Sequence, residues 1–143
     1  MKKQLIIGIA VLFITVGLSG CNDSEEDKGI ISQDAKIILV NGGEWNAIPI
    51  NYTNYVEYNN YIFFDDGEYK FETGWDKSDG NYIFWKGSGT YHISYDVIYL
   101  DEENRKRSYD GIDYRDVSVY SHEWSIRVIN EDMVEIGYMT FIT

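Results

Sequence analysis

The chain has 143 residues and carries 24 Asp and Glu against 12 Lys and Arg, a formal net charge of −12. That field excludes nucleic acid and anionic membrane surfaces as partners, because both demand clustered Lys and Arg. Thirteen Tyr, six Phe and four Trp supply ample apolar surface for one folded domain, and a single Cys excludes a disulfide framework.

Residues 1–20 have the order of an export signal. Lys2 and Lys3 form a positive start, and Leu5 to Val16 is an apolar run. The run falls short of the ~20 residues that a spanning helix needs. Leu18-Ser19-Gly20 then leads into Cys21. This stretch resembles the bacterial lipobox, in which small residues precede a cysteine that is acylated and becomes the mature N-terminus. The resemblance implies lipidation at Cys21 and a membrane partnership made only through that N-terminal lipid anchor, since several acyl chains hold a protein stably to a bilayer. It leaves no thiol for a nucleophile or a metal site. Residues 21–34 form an acidic tether, with no apolar side chain from Asn22 to Gly29. Ser24-Glu25-Glu26-Asp27 also resembles the serine-plus-acidic export tag of surface lipoproteins in one large phylum of Gram-negative bacteria. The location it implies is the outer membrane, at the cell surface.

Residues 35–143 alternate aromatic and β-branched residues with polar ones, the pattern of short strands. "KIILVNGGEWNAI" predicts a strand, a Gly-Gly turn and a second strand. "NYTNYVEYNNY" spaces Tyr52, Tyr55, Tyr58 and Tyr61 three apart, interleaved with Asn, which fits neither a clean strand nor an apolar helix face. One reading is a loop at a barrel mouth in which Tyr52, Tyr55 and Tyr58 stack on a sugar or other flat ligand; the other is a loop whose tyrosines cap the core. In "YIFFDDGEYKFE" the pair Asp66-Gly67 suits a two-residue type I′ turn. That turn pairs Phe64 with Tyr69 and Ile62 with Phe71, and so puts Ile62, Phe64, Tyr69 and Phe71 on one face. Strands are further predicted at Tyr82–Lys86, Thr90–Ser94 and Val97–Asp101, with a turn or bulge at Gly87-Ser88-Gly89 and a turn at Tyr95-Asp96. Asp101–Asp116 reads as a long charged loop. A last hairpin runs from Val117 to Ile142, turning near Glu131-Asp132. About eight strands in successive hairpins cannot leave long edges bare, so an antiparallel barrel or rolled sandwich follows.

Four motifs occur in order: Gly43-Glu44-Trp45; Phe63-Phe64-Asp65-Asp66-Gly67-Glu68-Tyr69; Gly89-Thr90-Tyr91-His92-Ile93; and Trp124-Ser125-Ile126 through Val134-Glu135-Ile136. Together, from Gly43 to Tyr138, they resemble the small bacterial lipocalin-like lipoproteins. The resemblance implies an all-β, up-and-down, lipocalin-like barrel that binds a small apolar or aromatic ligand. It also implies a closed barrel end where Gly43 and Trp45 form the closing motif and Arg127 covers the tryptophan. The chain is shorter than true lipocalins and shows no helix after the barrel, so the interior can instead be filled by side chains. The competing reading is a protein–protein accessory or inhibitor domain of a surface assembly, acting through exposed loops such as Asp101–Asp116.

Chemistry-bearing motifs are scarce. His92 and His122 read as surface histidines, since two histidines without cysteines are too few for zinc. Asp76 to Asn81 fails the EF-hand spacing and reads as a Ser-Asp-Gly turn. No Gly-x-Ser-x-Gly, phosphate loop or His-Glu-x-x-His is present. The expectation is a domain without catalysis, cofactor or metal.

Overall fold

A computed structural model describes residues 32–143. Cys21, the signal and residues 21–31 of the tether lie outside the described residues. The first element is a helix, α1 (Ser32–Gly42), so it takes in residues 32–34 of the predicted tether and replaces the predicted first strand. Ala35 and Leu39 are buried, with Ile38 packed beside them. This i, i+3, i+4 stripe gives the helix a core-facing side, and burial there overrides the β-branched preference of Ile37, Ile38 and Val40. Gly43, at φ +72°, ends the helix in the left-handed conformation that glycine adopts freely.

Ten strands follow: β1 (Glu44–Ala47), β2 (Ile50–Asn51), β3 (Tyr55–Phe63), β4 (Glu68–Lys77), β5 (Tyr82–Ser94), β6 (Val97–Ser108), β7 (Arg115–Asp116), β8 (Ser121–Asn130), β9 (Met133–Ile136) and β10 (Met139–Ile142). All neighbours pair antiparallel in the order β1-β10-β9-β8-β6-β5-β4-β3, and β1 pairs β3 to close the ring. The result is an eight-stranded up-and-down barrel, with β2 and β7 as short additions on β3 and β6. Closure removes the bare edges that such a set of hairpins would otherwise expose.

The β3–β4 hairpin differs from expectation by one residue. Phe63 pairs with Tyr69 and Tyr61 with Phe71. The turn is longer: Gly67 N–H donates to the Phe64 carbonyl at 3.2 Å, and Phe64 N–H to the Glu68 carbonyl at 2.9 Å. Only Gly67 of the Asp66-Gly67 pair takes a positive φ, +89°, so this is a three-residue loop with a glycine bulge, not a type I′ turn. The inner face is therefore Tyr61, Phe63, Tyr69 and Phe71. Their rings lie about 6 Å apart, and Phe141 meets Tyr61 edge-on at 5.4 Å.

Three further differences concern strand extent. The tyrosine-rich stretch is mostly β3, not a loop. The charged segment after Asp101 continues β6 as far as Ser108, so only a short turn separates it from β7. The last predicted strand breaks at Gly137-Tyr138 into β9 and β10. Gly137, at φ +59°, holds the first central position of that two-residue turn, as a type II′ turn requires.

The two barrel ends differ. At one end lie the 64–67 and 95–96 turns together with α1. Lys36 Nζ donates to the Asp65 carbonyl at 2.7 Å, and Trp45, fully buried, donates its indole N–H to the Leu39 carbonyl at 2.8 Å. Helix and tryptophan close this end. Arg127 does not cover Trp45: it sits between the inward-facing Ile126 and Val128, so alternation turns it outward. There it pairs with Glu135, Nε to Oε2 at 3.1 Å.

Candidate functional site

The other end is open. The β4–β5 turn and the loop after β6 surround its mouth, and the wall drops where β9 and β10, four residues each, face β3–β6, which run 9 to 13. A cleft of about 470 Å³ enters the interior here. Below it the barrel is filled by the aromatic cluster and by Ile98, Leu100, Val134 and Ile136.

Strand register places the lining. On β3 and β4, Glu57 stands opposite Trp75, Asn59 opposite Thr73, and Tyr61 opposite Phe71. Thr73 is in turn opposite Trp85 of β5, so both tryptophans face inward, and their rings meet edge-on at 4.8 Å. On β8, His122 and Trp124 stand opposite Leu100 and Ile98 and share their inner face. The His122 ring stacks on Trp124 at 4.7 Å.

A bulge completes the site. Ser88 pairs with Asn104 and Gly89 with Glu102, which leaves Glu103 of β6 unopposed. In a regular strand, residues three apart point to opposite faces. The extra residue resets the alternation, so Glu102 and Arg105 both point inward. Their ion pair is short, Nη1 to Oε1 at 2.6 Å, and Glu102 is only 8% exposed. The same carboxylate meets His122 Nε2 at 3.1 Å and accepts the Tyr120 backbone N–H at 3.1 Å. Arg105 lies over the faces of Phe71, Trp85 and Tyr120, with its guanidinium 5.5, 5.8 and 5.2 Å from their centres. Gly87 and Gly89 permit the close approach of β5 to β6. A Cβ at Gly89 would strike the Asp101 carbonyl, and one at Gly87 the Asn104 carbonyl and the Phe71 ring.

Glu57, 7% exposed, is the second carboxylate of the cleft. It accepts from Asn59 Nδ2 at 2.9 Å and from the Tyr138 hydroxyl at 2.8 Å, reached across the low wall. Burial first, and then this carboxylate, hold the Tyr138 phenol well above its ordinary pKa.

Of the tyrosines singled out by sequence, Tyr52 and Tyr55 adjoin the cleft. Tyr52 stacks on Tyr55 at 4.5 Å, and Tyr55 meets Trp75 at a tilt, 4.9 Å between ring centres, which extends an aromatic row to Trp85. Tyr58 is not with them: between inward Glu57 and Asn59 it faces out, because a spacing of three crosses the faces of a strand. His92 is exposed and stacks on Tyr99 at 4.5 Å. His122 is no surface histidine. Its i, i+2, i+4 relation to Trp124 and Ile126 was the signal for an inward position. Asp76 to Asn81 holds a turn, with Gly80 N–H donating to the Lys77 carbonyl at 3.0 Å. Among the described residues no group of three or more His, Cys, Asp or Glu side chains is arranged to hold a metal.

No family model matches the chain, and comparison with curated proteins finds no match for it.

Proposed function

We propose that this barrel is a non-catalytic carrier of a small, flat, amphipathic molecule, held at the outer membrane by a lipid on Cys21 in the manner of the lipocalin-like lipoproteins it resembles. One observation supports the carrier reading above others: the cleft joins three half-buried tryptophans, Trp75, Trp85 and Trp124, to a few convergent polar groups. Small-molecule sites are built this way, with apolar walls for affinity and sparse polar groups for orientation, in volumes of ~300–1,000 Å³. The Tyr52–Tyr55–Trp75 row adds a stacking surface beside the entrance.

The test is a native mass spectrum of the protein purified, as matured, from its own cells. The carrier reading expects a reproducible extra mass that is lost on denaturation and reduced in Trp85→Ala. A bare mass counts against it and favours the accessory reading, for which Tyr109 and Ile112, exposed in the turn after β6, offer the contact. The anchor has its own test: Cys21→Ala should move the protein from the membrane fraction to the soluble fraction.

A further inference from the structure

The two carboxylates of the cleft are held differently. Glu102 is neutralised by Arg105 and meets His122 besides. Glu57 is buried to a similar extent, yet among the described residues it forms no ion pair. Both of its hydrogen bonds come from neutral donors, and both reach Oε1. A third neutral donor, the Tyr52 hydroxyl, approaches the same carboxylate, and no cation of the described residues lies within ion-pair distance of it. A buried carboxylate left to neutral donors is costly unless something positive joins it. Aromatic surface stands around it: Trp75 is directly opposite on β4, and Tyr138 rests on Oε1. A carboxylate beside aromatic faces is the arrangement that holds an ammonium group, by charge-assisted hydrogen bonds and by attraction to the rings.

We infer that the ligand of this cleft is a small organic cation, an amine or alkylammonium on an aromatic or apolar body. Its positive group sits at the Glu57 carboxylate and its body lies against Trp75 and Trp85. The inference rests on the carrier reading and adds the charge of the cargo to it. Arg107 also lines the cleft, so an anionic cargo is the natural rival.

Three probes of similar shape separate these outcomes: 2-phenylethylamine, 2-phenylethanol and phenylacetate, titrated against the full chain by tryptophan fluorescence. The amine should bind at least about tenfold more tightly than the alcohol, the scale of one charge-assisted hydrogen bond. In Glu57→Gln, which keeps the shape and an acceptor, amine and alcohol should differ by less than about twofold. Equal binding of amine and alcohol by the unaltered protein overturns the charge assignment and leaves the carrier reading standing, and that comparison needs no variant to fold. Tighter binding of phenylacetate, or an amine preference that survives Glu57→Gln, also overturns it. Failure of all three to perturb the tryptophans would overturn the carrier reading as well.

Discussion

Tyr69 carries a hydroxyl into the core that finds no hydrogen-bond partner among the described residues. Burying such a group unpaired costs about 1–3 kcal/mol, while the ring itself packs against Tyr61, Phe63 and Phe71. Tyr69→Phe should therefore raise stability by about 1 kcal/mol, seen as a higher melting temperature; a lower one would mean the hydroxyl is satisfied after all. Asp110 is the opposite case, an exposed carboxylate surrounded by donors. It accepts the backbone N–H groups of Ile112 at 2.8 Å and Asp113 at 2.9 Å, and the Ser108 hydroxyl at 2.8 Å. The backbone bonds, foremost that from Asp113, pull its pKa from 3.8 to about 2. A folded pKa below the unfolded one adds stability above the unfolded value, and that stability is lost as pH falls through the folded value. The loop after β6 should thus hold at pH 5 and loosen between about pH 4 and pH 2. A carboxyl NMR titration of Asp110 checks this, and a midpoint near the unperturbed value would refute it.

Among the elements, β6 has an alternation that depends on one surplus residue. Deleting Glu103 should remove the bulge, leave Arg105 inward beside Glu102, and cost little. With the one-residue bulge retained, an alanine inserted after Glu103 should turn Arg105 outward and unpair a buried carboxylate, a loss of about 3 kcal/mol. Urea unfolding of both variants measures the contrast; equal losses would show that the bulge does not control the facing. The place of the bulge was legible on β5, where Gly87-Ser88-Gly89 predicts a turn or bulge and the register shifts between Ser88 and Gly89; the surplus residue on β6 was not, because "DEENRKRS" is polar on both faces and offers no alternation to follow. The β3–β4 hairpin was half legible for a related reason. Lys70 and Glu72 mark the outer face of β4, and Tyr69 and Phe71 were placed inward correctly. Across the turn, Tyr61, Ile62, Phe63 and Phe64 are all apolar, so either register buries a good face and the turn alone decides. The helix was legible but masked: Ala35, Ile38, Leu39 and Gly42 share one helical side, while "KIILV" has the composition of a strand. Leu39, with no exposed surface, anchors α1 in the barrel end. Leu39→Ala should cost about 3 kcal/mol by the cavity it leaves, and the melting temperature should fall accordingly.

Taken whole, the molecule is a cup with its filled base at α1 and its mouth at the far ends of β4, β5 and β6. The candidate site was only partly visible in sequence, because it is assembled from five strands and depends on register: Glu57, Glu102 and His122 lie far apart in the chain and meet only when the barrel closes. The described chain enters the barrel through α1, at the base, so the anchor proposed at Cys21 would place the base proximal to a bilayer and the mouth distal. A fluorophore at Ile112→Cys should then be quenched less by a bilayer-embedded quencher than one at Asp65→Cys, both positions being exposed and on opposite poles. Equal quenching would refute this posture. The helix plug thereby acquires a meaning for traffic. On the proposed anchor and carrier reading, a mouth held away from the membrane would gather cargo from the surrounding water, so occupancy should track the aqueous concentration of the cargo and be indifferent to its solubility in lipid.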